Sequence, residues 1–196
     1  MRHRRGSQPD GQLGARSAAC RKAYAAGRAI RTSSPYIRNV PANLLRKPTS
    51  MSQFVCPNCG AANRIPDGRD AREAKCGKCR ESVLTGAPVE VSGAQLDAHR
   101  KGTKGAALLL DVWAPWCGPC KSMAPQFAAA AKALEPEVRL FKLNSDAEPA
   151  AASALGVSGI PALFLIRDGQ IIAKTAGAMP ASQIINWTKQ ALAQGA

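Results

Sequence analysis

Histidine is almost missing from this chain of 196 residues, which contains only His3 and His99. A Ser-His-Asp hydrolase or a histidine-rich metal site is therefore hard to build. Long apolar runs are missing too, since the longest, residues 106–110 and 160–166, fall far short of the roughly 18 residues that a membrane helix needs. No Gly-rich phosphate-binding loop occurs. We therefore expect neither a membrane contact nor a nucleotide bound by this chain.

Acidic residues are scarce in the first quarter of the chain. Residues 1–50 contain 11 of the 27 Lys and Arg side chains but only one of the 13 acidic ones, Asp10, and so carry most of the net charge of +14. Such a leader fits an organellar transit peptide, a basic tail for nucleic-acid phosphates, or a misassigned start of the reading frame. Coherent structural signals begin only after Met51. We expect residues 1–50 to be a disordered basic leader upstream of a true start at Met51.

Six of the seven cysteines form three pairs, each with two residues between its members. The first two pairs, Cys56/Cys59 and Cys76/Cys79, are separated by 16 residues, a spacing typical of a structural zinc site. One tight turn aims both sulfurs of a pair at the same ion, and two such turns complete a tetrahedron. Because four cysteines leave no open coordination position, we expect a structural zinc and not a catalytic one.

The segment around these four cysteines, residues 51–86, is predicted to be a small zinc ribbon. It has too few apolar residues for a core of its own, so metal binding would have to stabilise it. Residues 54–82 contain six basic and four acidic side chains, which partly offset the formal charge of −2 on four thiolates around Zn²⁺. The alternative is two disulfide bonds, which the lack of an export signal disfavours.

From residue 88 onwards strands alternate with helices, which predicts a second domain over residues 87–196. Strands are predicted at 89–91, 107–113, 138–143, 162–166 and 171–175, with helices at 94–99, after the third cysteine pair, at 148–155 and after Pro180. This order predicts an α/β fold with a central mixed sheet flanked by helices. His99 is expected on the exposed side of the short first helix, with no chemical role.

The third cysteine pair, Cys117/Cys120, follows the strand at 107–113 and precedes a helix. A C-x-x-C at such a junction is typical of a thioredoxin-like redox motif. The sequence WAPWCGPCK at residues 113–121 resembles the active-site signature of the thioredoxin family, and Gly159-Ile160-Pro161 resembles its cis-proline loop. With the four-cysteine segment in front, the chain resembles the bacterial thioredoxins that carry an N-terminal zinc ribbon. The resemblance implies a thioredoxin fold over about residues 88–194.

The resemblance also implies a role for each residue of the redox centre. Cys117 would attack a substrate disulfide as a thiolate stabilised at a helix N-terminus, and Cys120 would resolve the mixed disulfide. Asp111 would deprotonate Cys120 through a water molecule, with Lys142 tuning it. The alternative is that Asp111 is merely a hydrogen-bonded strand residue. An acid is costly to bury in an apolar strand, however, and such costs concentrate at functional sites.

Substrate binding is implied for the loops around the cysteines. Pro119 offers the sulfurs no N–H, which by resemblance favours a reductant. Pro161, in cis, would expose the backbone of Ile160 for strand-like pairing with a substrate. Trp116 would form an apolar rim. The expected substrate-binding residues are Trp116, Gly118, Pro119, Ile160 and Pro161.

The function implied is that of a cytoplasmic, monomeric protein-disulfide reductase whose partners are thioredoxin reductase and oxidised substrate proteins. One alternative is a zinc-ribbon adaptor in which the C-x-x-C domain is only a binding platform, but a platform needs neither thiol. Another is nucleic-acid binding by the leader and the ribbon together. Because aromatic residues make up only 5% of the chain, stacking platforms for bases are scarce, and we expect no nucleic-acid partner.

Overall fold

Within residues 51–194, the part of the chain that the computed structural model describes, a small antiparallel hairpin precedes a five-stranded mixed sheet. The basic leader predicted over residues 1–50 lies outside the described residues. In the described part, no helix is long and apolar enough to cross a membrane.

The hairpin consists of β1 (Met51–Val55) and β2 (Ala62–Pro66), which pair antiparallel. The first cysteine pair lies in the turn between the two strands, and a short 3-10 turn, Ala71–Glu73, leads to the second pair. Few apolar side chains support this segment. Its buried core comprises Phe54, Cys56, Ile65, Cys76, Val83 and Leu84. The small size of this core agrees with the expectation that a metal has to supply much of the segment's stability.

The sheet that follows has the strand order β3-β5-β4-β6-β7. Its strands are β3 (Val89–Glu90), β4 (Ala107–Trp113), β5 (Val138–Asn144), β6 (Ala162–Arg167) and β7 (Gln170–Ala176). The first three in chain order run parallel, and β6 and β7 are antiparallel to their neighbours. The predicted mixed sheet is therefore confirmed.

Four helices flank the sheet in the described part of the chain. They are α1 (Gly93–Gly102), α2 (Gly118–Leu134), α3 (Pro149–Ala154) and α4 (Ala181–Gln194). The side chains of Ser92 and Gln95 form a capping box at the start of α1. Side chains of α1 and α3 pack on one face of the sheet, whereas those of α2 and α4 pack on the other.

Strand β4 is buried on both faces, and its side chains alternate between the cores on the two sides of the sheet. Leu108, Leu110 and Val112 point into the core formed with α1 and α3, and Leu109 points into the core formed with α2 and α4. Side chains alternate along a strand. Asp111 therefore projects towards the face on which α2 packs, the helix that begins with the C-x-x-C motif.

A buried arginine joins the hairpin to the large sheet. Arg139 of β5 is only 2% exposed. One of its guanidinium nitrogens donates to the carbonyl of Val55 (2.8 Å) and the other to that of Val83 (3.1 Å). Its guanidinium carbon lies 5.0 Å from the ring centroid of Phe141. Burial lowers the pKa of Arg139 to about 10, which still leaves it charged at neutral pH. One cation thus satisfies carbonyls on both sides of the four-cysteine segment.

Further polar contacts reinforce this junction. The backbones of Gln53 and Lys104 exchange two hydrogen bonds of 2.9 Å, and the Gln53 side chain donates to the carbonyl of Gly102 (2.8 Å). The backbone is close enough here that a Cβ at Gly102 would collide with a methyl group of Val55. A glycine at the end of α1 is therefore required for the hairpin to pack.

His99 is not a surface residue, and the prediction that placed it on the surface is wrong. It is 2% exposed, its ring centroid lies 4.5 Å from that of Phe141, and its Nδ1 lies 3.3 Å from Arg139. Because a guanidinium has only N–H groups to offer, Nδ1 accepts and the ring is neutral. The face of α1 that carries His99 is covered by residues distant in sequence, which helical periodicity does not show.

The burial of His99 predicts a specific pH dependence of stability. Burial, with a smaller effect from Arg139, lowers the pKa of His99 from 6.5 to about 4. The unfolded chain therefore binds more protons than the folded chain between these values, so the free energy of unfolding should fall by about 2–3 kcal/mol as the pH falls from 6.5 to 4. Urea unfolding at several pH values measures this change. The His99→Gln variant keeps an acceptor for Arg139 but cannot titrate, and its curve should lack this component.

Candidate active site and metal centre

The third cysteine pair lies at the N-terminus of α2, where Cys117 and Cys120 form a disulfide with an S–S distance of 2.06 Å. Cys117 is itself the N-cap residue, and its Sγ accepts the backbone N–H of Cys120 (3.1 Å). Pro119 occupies the first turn, where a missing N–H costs no helical hydrogen bond. In the reduced protein the same N–H and the helix dipole would favour a thiolate at position 117.

The two sulfurs are nearly covered by apolar groups. Cys117 is 4% exposed and Cys120 is 2% exposed, and they pack with Ala114, Trp113 and Ile160. Apolar surroundings disfavour an anionic sulfur. The end of α2 therefore supplies the main stabilisation available to the Cys117 thiolate.

Trp116 forms an exposed apolar surface next to the disulfide. It is 70% exposed, and its indole N–H donates to a carboxylate oxygen of Asp146 (3.2 Å). This hydrogen bond favours one orientation of the exposed indole ring of Trp116. Asp146 was not predicted as a site residue, although an acid shortly after the strand predicted at 138–143 was a usable signal, because such strand ends lie at the same edge of a parallel sheet.

The loop preceding β6 also reaches the disulfide. The peptide bond between Ile160 and Pro161 is cis, and the Ile160 side chain packs on the cluster that contains both sulfurs. The five residues implied in substrate binding thus lie on two segments of the chain. Trp116 precedes α2, Gly118 and Pro119 are the first residues of α2, and Ile160 and Pro161 lie before β6.

Asp111 lies in the centre of the sheet and is fully buried. Neither carboxylate oxygen has a hydrogen-bond partner among the described residues. Burial raises the pKa of Asp111 from 3.8 to about 7, although the charge of Lys142 opposes this shift. A carboxyl group with this pKa can both hold and release a proton near neutral pH.

Lys142 is opposite Asp111 in the parallel pairing of β4 and β5. Its ammonium group, however, forms an ion pair with Glu90 (3.8 Å) and lies 3.9 Å from the ring centroid of Trp113. Glu90 also accepts the indole N–H of Trp113 (3.0 Å). The strand at 89–91 was predicted from the sequence, but no role in the site was predicted for the Glu90 side chain.

The four cysteines of the hairpin segment converge on one point. Their sulfurs all lie within 4.8 Å of one another, with Cys56 and Cys79 at 3.6 Å and Cys59 and Cys76 at 3.6 Å. A tetrahedral zinc with Zn–S bonds of roughly 2.3 Å requires sulfurs about 3.8 Å apart. The donor set and its spacing therefore fit a Zn²⁺ ion.

The two cysteine turns have the same backbone geometry. Gly60 donates to the carbonyl of Cys56 (3.0 Å), and Arg80 donates to that of Cys76 (2.9 Å). Both Gly60 (φ 71°) and Arg80 (φ 67°) have positive φ, a conformation that closes such turns and usually selects glycine. Backbone N–H groups, that of Cys79 foremost, lower the pKa of the Cys76 thiol to about 6. The pKa of Cys79 is lowered as well, whereas those of Cys56 and Cys59 are raised, so only the second turn favours the thiolate form that binds a metal.

Comparison with known proteins assigns both parts of the chain. A family model described as Thioredoxin matches residues 90–190, and one described as Thioredoxin 2, N-terminal matches residues 55–81. The chain belongs to the thioredoxin family. The resemblances to thioredoxins in general and to thioredoxin 2 in particular are both confirmed.

Individual relatives agree with this assignment. Thioredoxin C-3 of Corynebacterium nephridii is 36% identical over 141 residues, which are 72% of this chain and 96% of that protein. The thioredoxin of Haemophilus influenzae is 43% identical over 83 residues, 42% of this chain and 78% of that protein. The crystal structure of spinach chloroplast thioredoxin F superimposes with a TM-score of 0.51 at 25% identity, covering 56% of this chain and 89% of that one. The chain is accordingly a thiol-disulfide oxidoreductase of thioredoxin fold.

The raised pKa of Asp111 predicts that its charge destabilises the fold. The folded protein binds this proton more tightly than the unfolded chain, so stability is lost as the pH rises from about 4 to about 7. At pH 8, Asp111→Asn should raise the free energy of unfolding by about 2–4 kcal/mol. Chemical denaturation of the oxidised protein measures this difference. The exposed Asp97→Asn serves as a control and should change stability by less than about 0.5 kcal/mol; an unchanged stability of Asp111→Asn would contradict the expectation.

Proposed function

We propose that the protein reduces disulfide bonds of substrate proteins by dithiol exchange at Cys117 and Cys120. The observation that carries this proposal is the Cys117 sulfur at the N-cap of α2, where it accepts the N–H of Cys120 within a disulfide that the two residues share. This arrangement supplies a nucleophile and a resolving thiol one helical turn apart.

The exchange proceeds in two substitutions at sulfur. In the reduced protein, the Cys117 thiolate attacks one sulfur of the substrate disulfide, and the other substrate sulfur leaves as a thiolate and takes up a proton. The Cys120 thiolate then attacks the Cys117 sulfur and releases the second substrate thiolate. Two electrons pass to the substrate, and the Cys117–Cys120 disulfide remains, which is the state of the structure.

The second substitution requires the nearly buried Cys120 to lose a proton. We assign the base to Asp111, which acts through a water molecule and is tuned by Lys142. Burial and the raised pKa of Asp111 support this role, because a base is most effective when its pKa lies near the working pH. The ammonium group of Lys142, from the adjacent strand, limits how far that pKa rises.

Substrate binding is assigned to the surface around the disulfide. The exposed ring of Trp116 offers apolar contact, and the backbone of Ile160 before Pro161 offers hydrogen bonds to an extended substrate segment. Gly118 and Pro119 complete this surface and present no side-chain donor to the sulfurs. These assignments rest on the position of both loops beside the disulfide.

The oxidised disulfide must be reduced again before another turnover. We assign this step to thioredoxin reductase, since the sequence contains no nucleotide-binding loop through which the chain could draw electrons from NADPH itself. We also propose that the chain works as a monomer in the cytoplasm. The four free cysteines support that compartment, because zinc-binding thiolates persist where thiols are kept reduced.

Residues 51–86 are proposed to be a zinc ribbon and residues 87–196 the thioredoxin domain. Cys56, Cys59, Cys76 and Cys79 would hold the zinc ion. When bound, the ion would offset half of the thiolates' negative charge and hold the two cysteine turns together; it would have no part in the exchange reaction. Arg139 and the paired backbone of Gln53 and Lys104 would then fix the ribbon to the thioredoxin domain.

Exchange of the two redox cysteines tests the mechanism. In an insulin-reduction assay with thioredoxin reductase and NADPH, Cys117→Ser should lose at least about a thousandfold in rate, because no nucleophile remains. Cys120→Ser should instead accumulate a covalent mixed disulfide with the substrate, detectable by mass spectrometry. Cys20, the seventh cysteine, lies outside the three pairs, and Cys20→Ser in the full 196-residue chain should keep full activity. A fully active Cys117→Ser would falsify the mechanism.

Removal of a single ribbon cysteine tests the metal assignment. Protein purified under reducing conditions should contain one zinc ion per chain by elemental analysis, and Cys76→Ser should lose it, because three thiolates bind Zn²⁺ far more weakly than four. Its thermal midpoint should fall while Cys20→Ser retains both zinc and stability. Undiminished zinc in Cys76→Ser, or two disulfides in the ribbon of the reduced wild type, would contradict the assignment.

A further inference from the structure

Three charged side chains form a row across adjacent strands of the sheet. Glu90 of β3 is opposite Lys142 of β5, and Lys142 is opposite Asp111 of β4. Directly opposed residues in a parallel pair project to the same face. The row therefore alternates in sign, from an exposed carboxylate at the edge, through one ammonium group, to a buried carboxyl group at the centre.

The single ammonium group in this row contacts the carboxylate at the edge of the sheet and not the one at its centre. Lys142 forms its ion pair with Glu90 at 3.8 Å, and Asp111 has no hydrogen-bond partner among the residues from 51 to 194. Trp113 also favours the position of Lys142 beside Glu90. Its ring centroid lies 3.9 Å from the ammonium group, and its N–H donates to Glu90 at 3.0 Å. Glu90 and Trp113 thus hold the lysine from two sides.

We propose that Glu90 is a positioning residue of the active site, whose carboxylate holds the Lys142 ammonium group over Trp113 and away from Asp111. Asp111 is thereby kept able to take up a proton at neutral pH. Glu90 touches neither the sulfurs nor the substrate surface described above and acts only through Lys142. The inference rests on the proposed role of Asp111 as the base and names the residue that regulates it.

The electrostatics of the site support this role. Burial is the largest cause of the raised pKa of Asp111, Lys142 lowers it, and Glu90 raises it further. The other elements packed on this face bring apolar side chains or the redox thiols, namely Leu163 opposite Asp111 on β6, and Cys117 and Cys120 at the start of α2. Lys142 and Glu90 are therefore the charged side chains whose arrangement sets the protonation of Asp111.

Loss of the Glu90 charge should have a small effect on the stability of the fold and a larger effect on the titration of the buried Asp111. Glu90 is half exposed, so its ion pair contributes little to the stability of the fold. The same charge acts on Asp111 through an apolar interior, where Coulomb interactions are stronger than in water. Replacement of Glu90 should therefore alter the titration of Asp111 while barely altering the thermal midpoint, a combination that a purely structural role would not give.

The test substitutes Glu90→Gln, which keeps an oxygen for the Trp113 N–H but removes the charge. The side-chain carboxyl carbon of Asp111 is followed by carbon-13 NMR between pH 4 and 9 in the oxidised full chain, and Asp111→Asn identifies its signal. The midpoint in Glu90→Gln should lie lower than in the wild type by about half a pH unit or more, since a negative charge is removed and Lys142 is released towards Asp111.

A matched control separates this effect from a general loss of charge. Glu137→Gln removes the same charge from an exposed residue just before β5, at the end of that strand remote from Lys142, and should leave the Asp111 midpoint unchanged. An Asp111 midpoint in Glu90→Gln equal to or above that of the wild type overturns the proposal. So does an equal shift in Glu137→Gln.

A second measurement distinguishes failure of this inference from failure of the proposed function. The rate of insulin reduction by pre-reduced protein is measured against pH for the wild type, Glu90→Gln and Asp111→Asn. The acid limb should move to lower pH in Glu90→Gln and disappear in Asp111→Asn. A limb that persists in Asp111→Asn overturns the base assignment, whereas the NMR midpoint decides whether Glu90 controls the protonation of Asp111.

Discussion

The burial of β4 on both faces is the constraint on which the rest of the structure depends. A strand in the middle of a sheet, covered by helices on each side, offers few partners to a polar side chain, so a polar residue there is costly unless it carries a function. Asp111 is the exception within that strand, and it projects towards the helix that begins with Cys117. The sheet thus brings a buried carboxyl group and the Cys117–Cys120 disulfide to the same face.

The same sheet also carries the junction with the four-cysteine ribbon. Arg139 of β5 points to the opposite face from Lys142, three residues further on, and binds backbone carbonyls on both sides of the ribbon. The cost of burying this guanidinium is offset because both terminal nitrogens donate to carbonyls and two aromatic rings lie against it. Strand β5 therefore places Arg139 against the ribbon and Lys142 beside Asp111.

Much of this architecture is visible in the sequence. Strand and helix order, the hydrophobic character of β4 and both cysteine motifs follow from local periodicity and spacing, which depend on residues close together in the chain. His99 was placed wrongly, and Arg139, Glu90 and Asp146 were not assigned. Arg139 did leave a signal, because it shares the alternation of Phe141 and Leu143 and is thus a charge on an apolar face. Its partners, however, lie 56 and 84 residues away.

The sequence by itself determined the family, the two cysteine motifs and the class of thiol-disulfide chemistry, since sulfur chemistry and short ligand spacings are local properties. Only the tertiary structure decided which charges interact. Strand order places β5 between β3 and β4, so Lys142 has carboxyl groups on both sides, and only the fold shows that it pairs with Glu90. Electrostatic interactions depend on distance and burial in space, and neither quantity can be read from separation along the chain.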